Sequence, residues 1–188
     1  MIPESEDRLD KMSEECGVFG IFDRNGLEVQ DITYFGLYAL QHRGQESAGI
    51  AVSDGKDIAY HKGMGLVAEV FDERQLSRLK SGKAAIGHVR YSTTGDSLIV
   101  NAQPLVTKFR KGTMALAHNG NLVNTNSLKA GLEENGAIFQ TSLDTEVIAN
   151  LIARNIENGL DEALKKMMGM VRGSYGLLIM TEDKLVAA

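Results

Sequence analysis

Cys16-Gly17-Val18-Phe19-Gly20-Ile21-Phe22 is where the chain changes character. This apolar run reads as a buried strand. Everything before it reads otherwise. Residues 1–15 hold six acidic and two basic side chains, and so carry four of the five net negative charges of the 188-residue chain. Their apolar content is limited to Met1, Ile2, Leu9 and Met12, too little to nucleate a core. A boundary therefore falls between Glu15 and Cys16, with an acidic leader over 1–15 and a folded domain over 16–188.

Downstream of that boundary, strands and helices alternate. A helix is predicted over Ile32 to Leu40, with Asp31 as its cap and Gly44 just past its end. Ser47–Ser53 and Asp57–His61 read as strands around the Asp54-Gly55 turn. A short helix follows over Asp72 to Lys80. Strands are expected at Ala84–Arg90 and Thr113–His118, separated by a long polar loop. Helical periodicity marks Ser127–Glu134, Asp144–Ile156 and Leu160–Val171. Tyr175–Met180 and Leu185–Ala188 close the chain as a hairpin about Glu182-Asp183. Hairpins among neighbouring strands favour antiparallel sheets over a doubly wound parallel one. Sheet packed on sheet, with helices outside, would bury every helical stripe.

Composition narrows the function classes. With 43% hydrophobic and 24% charged residues, the chain has an ordinary globular make-up. It contains no apolar run of membrane-spanning length, no signal-peptide core and no Lys/Arg cluster. A soluble cytoplasmic protein that engages neither nucleic acid nor membrane is expected. A single cysteine, Cys16, excludes an internal disulfide, and the four histidines lack zinc-cluster spacing.

Several residues carry candidate chemistry. Cys16 is a buried hydrophobe or, were the leader removed, a nucleophile beside its own α-amine. That amine has an ordinary pKa of about 7.7–8.0, suited to general-base work. In Ala117-His118-Asn119-Gly120-Asn121, Asn-Gly is either a hairpin turn or a pair of donors for an oxyanion. Arg90, in Gly87-His88-Val89-Arg90-Tyr91-Ser92-Thr93-Thr94-Gly95, is a surface cation or a carboxylate clamp. His88 reads as a core histidine. Asp144 is a helix cap or a partner for an ammonium group. The glycines of Lys62-Gly63-Met64-Gly65 imitate a dinucleotide fingerprint without its helix or its downstream acid. A cysteine peptidase using Cys16 with His118, and a non-catalytic module, are the rival classes.

Taken in order, the Cys16–Ile21 run, QHRGQESAGI (41–50), GHVRYSTTG (87–95), ALAHNGNLVN (115–124) and Asp144-Thr145-Glu146 resemble one family. It is the N-terminal-nucleophile glutaminase domain of the glutamine phosphoribosylpyrophosphate amidotransferases of purine synthesis. The resemblance implies an α+β fold: a four-layer αββα sandwich of two mainly antiparallel sheets flanked by helices. It also implies roles. Cys16 would attack the amide of L-glutamine, Asn119 and Gly120 would form the oxyanion hole, Arg90 and Asp144 would hold the substrate's α-carboxylate and α-ammonium, and Arg43 would support the pocket. Residues 1–15 would be a propeptide, so the uncut chain would be a zymogen. Residues 16–188 would be a glutaminase domain truncated at its C-terminus, with the partner phosphoribosyltransferase domain absent. No metal or cofactor is expected in this fragment. Mg2+ and a 4Fe–4S cluster are candidates for the full-length enzyme, bound by the missing part, and that enzyme is expected to be a homotetramer.

Overall fold

The structure, a computed structural model, describes residues 16–25, 27–91 and 97–188. The acidic leader at 1–15 and Ser92 to Gly95 of the hydroxyl-rich loop lie outside the described residues.

Eight strands form two four-stranded sheets, antiparallel throughout. The first contains β1 (Cys16–Phe22), β2 (Ser47–Ser53), β3 (Ile58–Met64) and β4 (Ala84–Arg90), in the order β1-β4-β2-β3. The second contains β5 (Leu105–Phe109), β6 (Gly112–Leu122), β7 (Gly173–Thr181) and β8 (Leu185–Ala187), side by side in chain order. Helices α1 (Val29–Ala39), α2 (Val67–Val70) and α3 (Glu73–Leu79) cover the first sheet. Helices α4 (Thr125–Glu134), α5 (Asp144–Asn155) and α6 (Leu160–Met170) cover the second. The expected αββα sandwich is what the chain forms.

Side-chain alternation distributes residues among the layers. On β2, Ala48, Ile50 and Val52 pack outward with Val29 and Leu37 of α1. On β6, Met114 and Leu116 pack outward against Ile148 and Ile152 of α5. The inward faces meet in a third cluster of Ala51, Ala84, Ile86, Ala115, Ala117 and Met180. Four of those six buried residues are alanines, so the two sheets approach closely. Because Ala84 and Ile86 face inward, so do His88 and Arg90 further along β4.

Most predicted elements are present, and the differences are informative. Helix α1 begins at Val29, not Ile32, and Asp31 lies in its first turn instead of capping it. Val29 is fully buried, so packing extends the helix beyond its local signal. A 3-10 turn (Gln41–Arg43) separates α1 from Gly44, which is extended. The β2–β3 hairpin turns through four residues, with Asp54 Oδ1 accepting from the N–H groups of Lys56 and Asp57 at 2.8 and 2.9 Å. Helix α3 begins at Glu73, not Asp72, because Asp72 caps it, accepting from Arg74 and Gln75 at 2.8 and 3.0 Å. The supposed polar loop after β4 contains β5, paired to β6 from Leu105 to Phe109. The fingerprint-like glycines sit at the end of β3 and lead into a single helical turn.

The alanine layer leaves no space for larger side chains. Ala117→Leu is expected to destabilise the domain by about 1–3 kcal/mol through overpacking. A urea denaturation midpoint lowered at unchanged m-value reads this out; an unaltered midpoint would mean that the sheets are not closely packed there.

Candidate active site

Antiparallel register gathers the site at one end of the sandwich. Cys16 on β1 and Ser47 on β2 both pair with Arg90 on β4, so the first sheet presents these three in one row. Cys16 lies on the inward face, because Val18 packs between the sheets while Phe19 packs outward. Its thiol lies 3.9 Å from the Tyr91 carbonyl, and its own carbonyl accepts a 2.9 Å bond from Arg43 Nε. Arg43 therefore stands beside the cysteine.

From the second sheet comes β6. Asn119 and Gly120 are not a hairpin turn: they pair with Gly176 and Tyr175 inside the β6–β7 ladder. Gly120 has a φ of +142°, and a Cβ there would collide with the Ser174 carbonyl, so both conformation and space demand glycine. Asn119 is half-buried and shares the inward face of β6 with Ala115 and Ala117, which points its amide toward the sheet that holds Cys16.

Asp144 is the first residue of α5, and Leu143 occupies the cap position without a side-chain bond. The helix-cap reading of Asp144 is thus corrected. Its carboxylate instead accepts from His118 Nδ1 at 3.1 Å and from the Leu122 N–H at 3.2 Å. Burial pushes this carboxyl up, but the hydrogen bond and charge of His118, helped by the Leu122 and Thr145 N–H groups, outweigh burial and hold it below its ordinary value.

One cavity of about 690 Å3 is lined by Cys16, Arg90, Gly120 and Asp144, together with Gln103 and His118. A smaller cavity of about 210 Å3 between β5 and α5 is lined by Glu146 but by none of the candidate site residues. Arg90 is nearly buried, and its Nη1 donates to Glu46 Oε1 at 3.0 Å. His118 packs on the α5 side of β6, engaged with Asp144, whereas Cys16 comes from the opposite sheet. That placement does not favour a cysteine–histidine peptidase pair. Among the described residues no group of three or more His, Cys, Asp or Glu could hold a metal ion. Likewise, no described helix is long and apolar enough to cross a membrane.

Glu46, Asn101 and Gln103 went unnoticed as site residues. Glu46 lies within QHRGQESAGI, where its neighbours were the only signal. Asn101 and Gln103 act through side-chain bonds to distant segments, which leave no periodic trace.

Residues 88–188 match the family described as a glutamine amidotransferase domain. The chain belongs to that family. It is 52% identical over 178 residues to the amidophosphoribosyltransferase of Bacillus subtilis, covering 94% of this chain and 37% of that protein. The corresponding enzyme of Methanocaldococcus jannaschii is 51% identical over 174 residues, covering 92% and 37%. The solved structure of glutamine phosphoribosylpyrophosphate amidotransferase from B. subtilis, complexed with ADP and GMP, superposes with a TM-score of 0.83 at 50% identity, over 91% of this chain and 36% of that one. The sandwich is therefore of the N-terminal-nucleophile hydrolase type, and the chain spans little more than a third of the length of these relatives.

His88 tests the electrostatics behind the site. It is fully buried between the sheets, with Nε2 donating to the His118 carbonyl at 3.0 Å and Nδ1 unpartnered among the described residues. Burial, only partly offset by that bond, depresses its pKa from 6.5 to about 3. The unfolded chain then binds a proton that the folded domain refuses, so stability falls as pH drops below about 6.5, by up to about 1.4 kcal/mol per pH unit. His88→Gln, which keeps a donor but cannot titrate, should flatten the stability profile between pH 6 and 4.5 by about one proton. Urea titrations at several pH values measure this; parallel profiles would contradict a neutral buried His88.

Proposed function

We propose that this domain hydrolyses L-glutamine to glutamate and ammonia by way of a Cys16 thioester. It would be the glutaminase half of an amidophosphoribosyltransferase. The observation that carries the reading is the convergence of Cys16, Arg90, Gly120 and Asp144 on one cavity. A guanidinium and an ionised carboxylate in the same cavity suit a substrate that is itself a zwitterion, with Arg90 on its α-carboxylate and Asp144 on its α-ammonium.

In this mechanism residues 1–15 are a propeptide, and its removal frees the Cys16 α-amine. The amine takes the thiol proton as Sγ attacks the side-chain amide carbon. The resulting oxyanion is met by the Asn119 side-chain amide and the Gly120 N–H, each worth about 10²–10³ in rate. Collapse returns the proton to the leaving nitrogen, releasing ammonia and leaving a thioester. Water, activated by the same amine, then cleaves the thioester to glutamate. Arg43, bonded to the Cys16 carbonyl, steadies the nucleophile's main chain. Ammonia would pass to a phosphoribosyltransferase domain that makes 5-phosphoribosylamine from phosphoribosyl pyrophosphate, within a homotetramer whose Mg2+ and any iron–sulfur cluster are bound outside this region.

The test uses the full-length protein from its native host. N-terminal sequencing should find Cys16 first, and Cys16→Ala should lower glutamine hydrolysis by at least about three orders of magnitude. Full activity in a chain that retains Glu15 would refute the α-amine as base, and full activity in Cys16→Ala would refute the reading as a whole.

A further inference from the structure

Between the hydroxyl-rich loop and β5, residues 101–103 touch both halves of the site. Gln103 grips the main chain of His118 at two points. Its Oε1 accepts from the His118 N–H at 2.8 Å, and its Nε2 donates to the His118 carbonyl at 3.3 Å. That carbonyl also receives His88 Nε2, so the peptide next to Asn119-Gly120 is held from two directions. Two residues earlier, Asn101 repeats the device on another segment. Its Nδ2 donates to Ser142 Oγ at 3.1 Å, and its Oδ1 accepts from the Ser142 N–H at 3.3 Å. Ser142 lies two residues before Asp144, at a helix start that has no side-chain cap.

The segment making these grips is itself anchored to the first sheet. Lys62 Nζ donates to the Ala102 carbonyl at 2.6 Å. At Gly49 a Cβ would collide with the Gln103 carbonyl, so the bare backbone of β2 is what lets this segment lie against the sheet. Asn101 and Gln103 are 1% and 5% exposed, which makes their polar groups internal and their bonds costly to break.

We propose that Asn101-Ala102-Gln103 is a positioning strap with separable duties: Gln103 aligns the oxyanion donors on β6, and Asn101 aligns the Asp144 clamp on α5. The strap ties both to the sheet that carries Cys16 and Arg90. The inference rests on the glutaminase reading above and assigns duties within the same site. Oxyanion donors act on the transition state, whereas an ammonium clamp acts on bound substrate as well. The two residues must therefore leave opposite kinetic signatures, which a merely structural role for both would not.

The experiment compares Gln103→Met and Asn101→Leu, near-isosteric changes that remove the bonds, in the processed full-length enzyme. Reacted thiol from an electrophilic glutamine analogue, taken at its end point, normalises each preparation. Gln103→Met is expected to lower kcat about 10- to 100-fold with KM within about threefold. Asn101→Leu is expected to raise KM about tenfold or more, with kcat within about threefold. Should Gln103→Met fail to fold, Gln103→Glu, which keeps an acceptor for the His118 N–H but sets a carboxylate against the His118 carbonyl, is expected to lower kcat at least as much. Identical effects of the two variants on kcat and KM, or none on either, would overturn the strap while leaving an active wild type as glutaminase. A processed wild type inert toward glutamine, with Cys16 unlabelled, would overturn both.

Discussion

The closeness of the two sheets is the constraint on which the site depends. Its candidate residues come from both sheets: Cys16 and Arg90 from one, Asn119 and Gly120 from the other. Cys16, Arg90 and Gly120 can line one cavity, with Asn119 on the same inward face of β6, only because the layer between the sheets is built largely of alanine. Larger inward side chains would fill the same interior yet hold the strand ends apart. Conversely, the helix-facing layers carry the leucines, isoleucines and valines that supply most of the apolar burial. Stability and site geometry are thus assigned to different layers of one sandwich.

Antiparallel pairing then sets the positions along the strands. The row Cys16, Arg90, Ser47 follows from three seven-residue strands in fixed register. A slip of one residue in β1 would turn Cys16 toward α1 and away from the cavity. On the second sheet, the ladder between β6 and β7 runs through Asn119 and Gly120, so the proposed oxyanion donors belong to a strand and not to a loop. Gly120 is held at a φ that other residues avoid, inside regular pairing that would normally exclude such a value. The ladder maintains the geometry and glycine makes it affordable.

Much of this was legible in the sequence, and the reasons are specific. Strands β1, β2 and β4 follow from their composition to the residue, because each is a dense apolar run bounded by polar or glycine-rich segments. The α5 stripe of Val147, Ile148, Leu151 and Ile152 follows from helical periodicity. By contrast, β5 is hidden because Leu105-Val106-Thr107-Lys108-Phe109 has mixed polarity at an exposed edge. Asn119-Gly120 carries a strong local turn preference that its ladder overrides. At the site, Cys16, Arg90, Gly120 and Asp144 were named from ordered motifs, and the cavity gathers them. Glu46, Asn101 and Gln103 were not, since a side chain that grips a distant segment looks in sequence like any polar residue.

Holding opposite charges in a half-enclosed cavity has an electrostatic cost, and the domain meets it by pairing each charge before any ligand arrives. Arg90 is nearly buried against Glu46, and Asp144 is bonded to His118 and to the Leu122 N–H. An unpaired buried charge would shift toward its neutral form, and the proposed clamp, if made of neutral groups, would not select a zwitterion. The pairing also fixes orientation, since the guanidinium is planar and the Glu46 bond holds its plane. His118 joins the two sides of the site most directly: its ring stabilises the ionised Asp144 while its peptide, gripped by Gln103 and His88, precedes the proposed oxyanion donors. Ring and peptide are held by different partners, Asp144 and Thr145 on the ring and Gln103 with His88 on the peptide, so the two sides of the site meet at this residue through separate bonds.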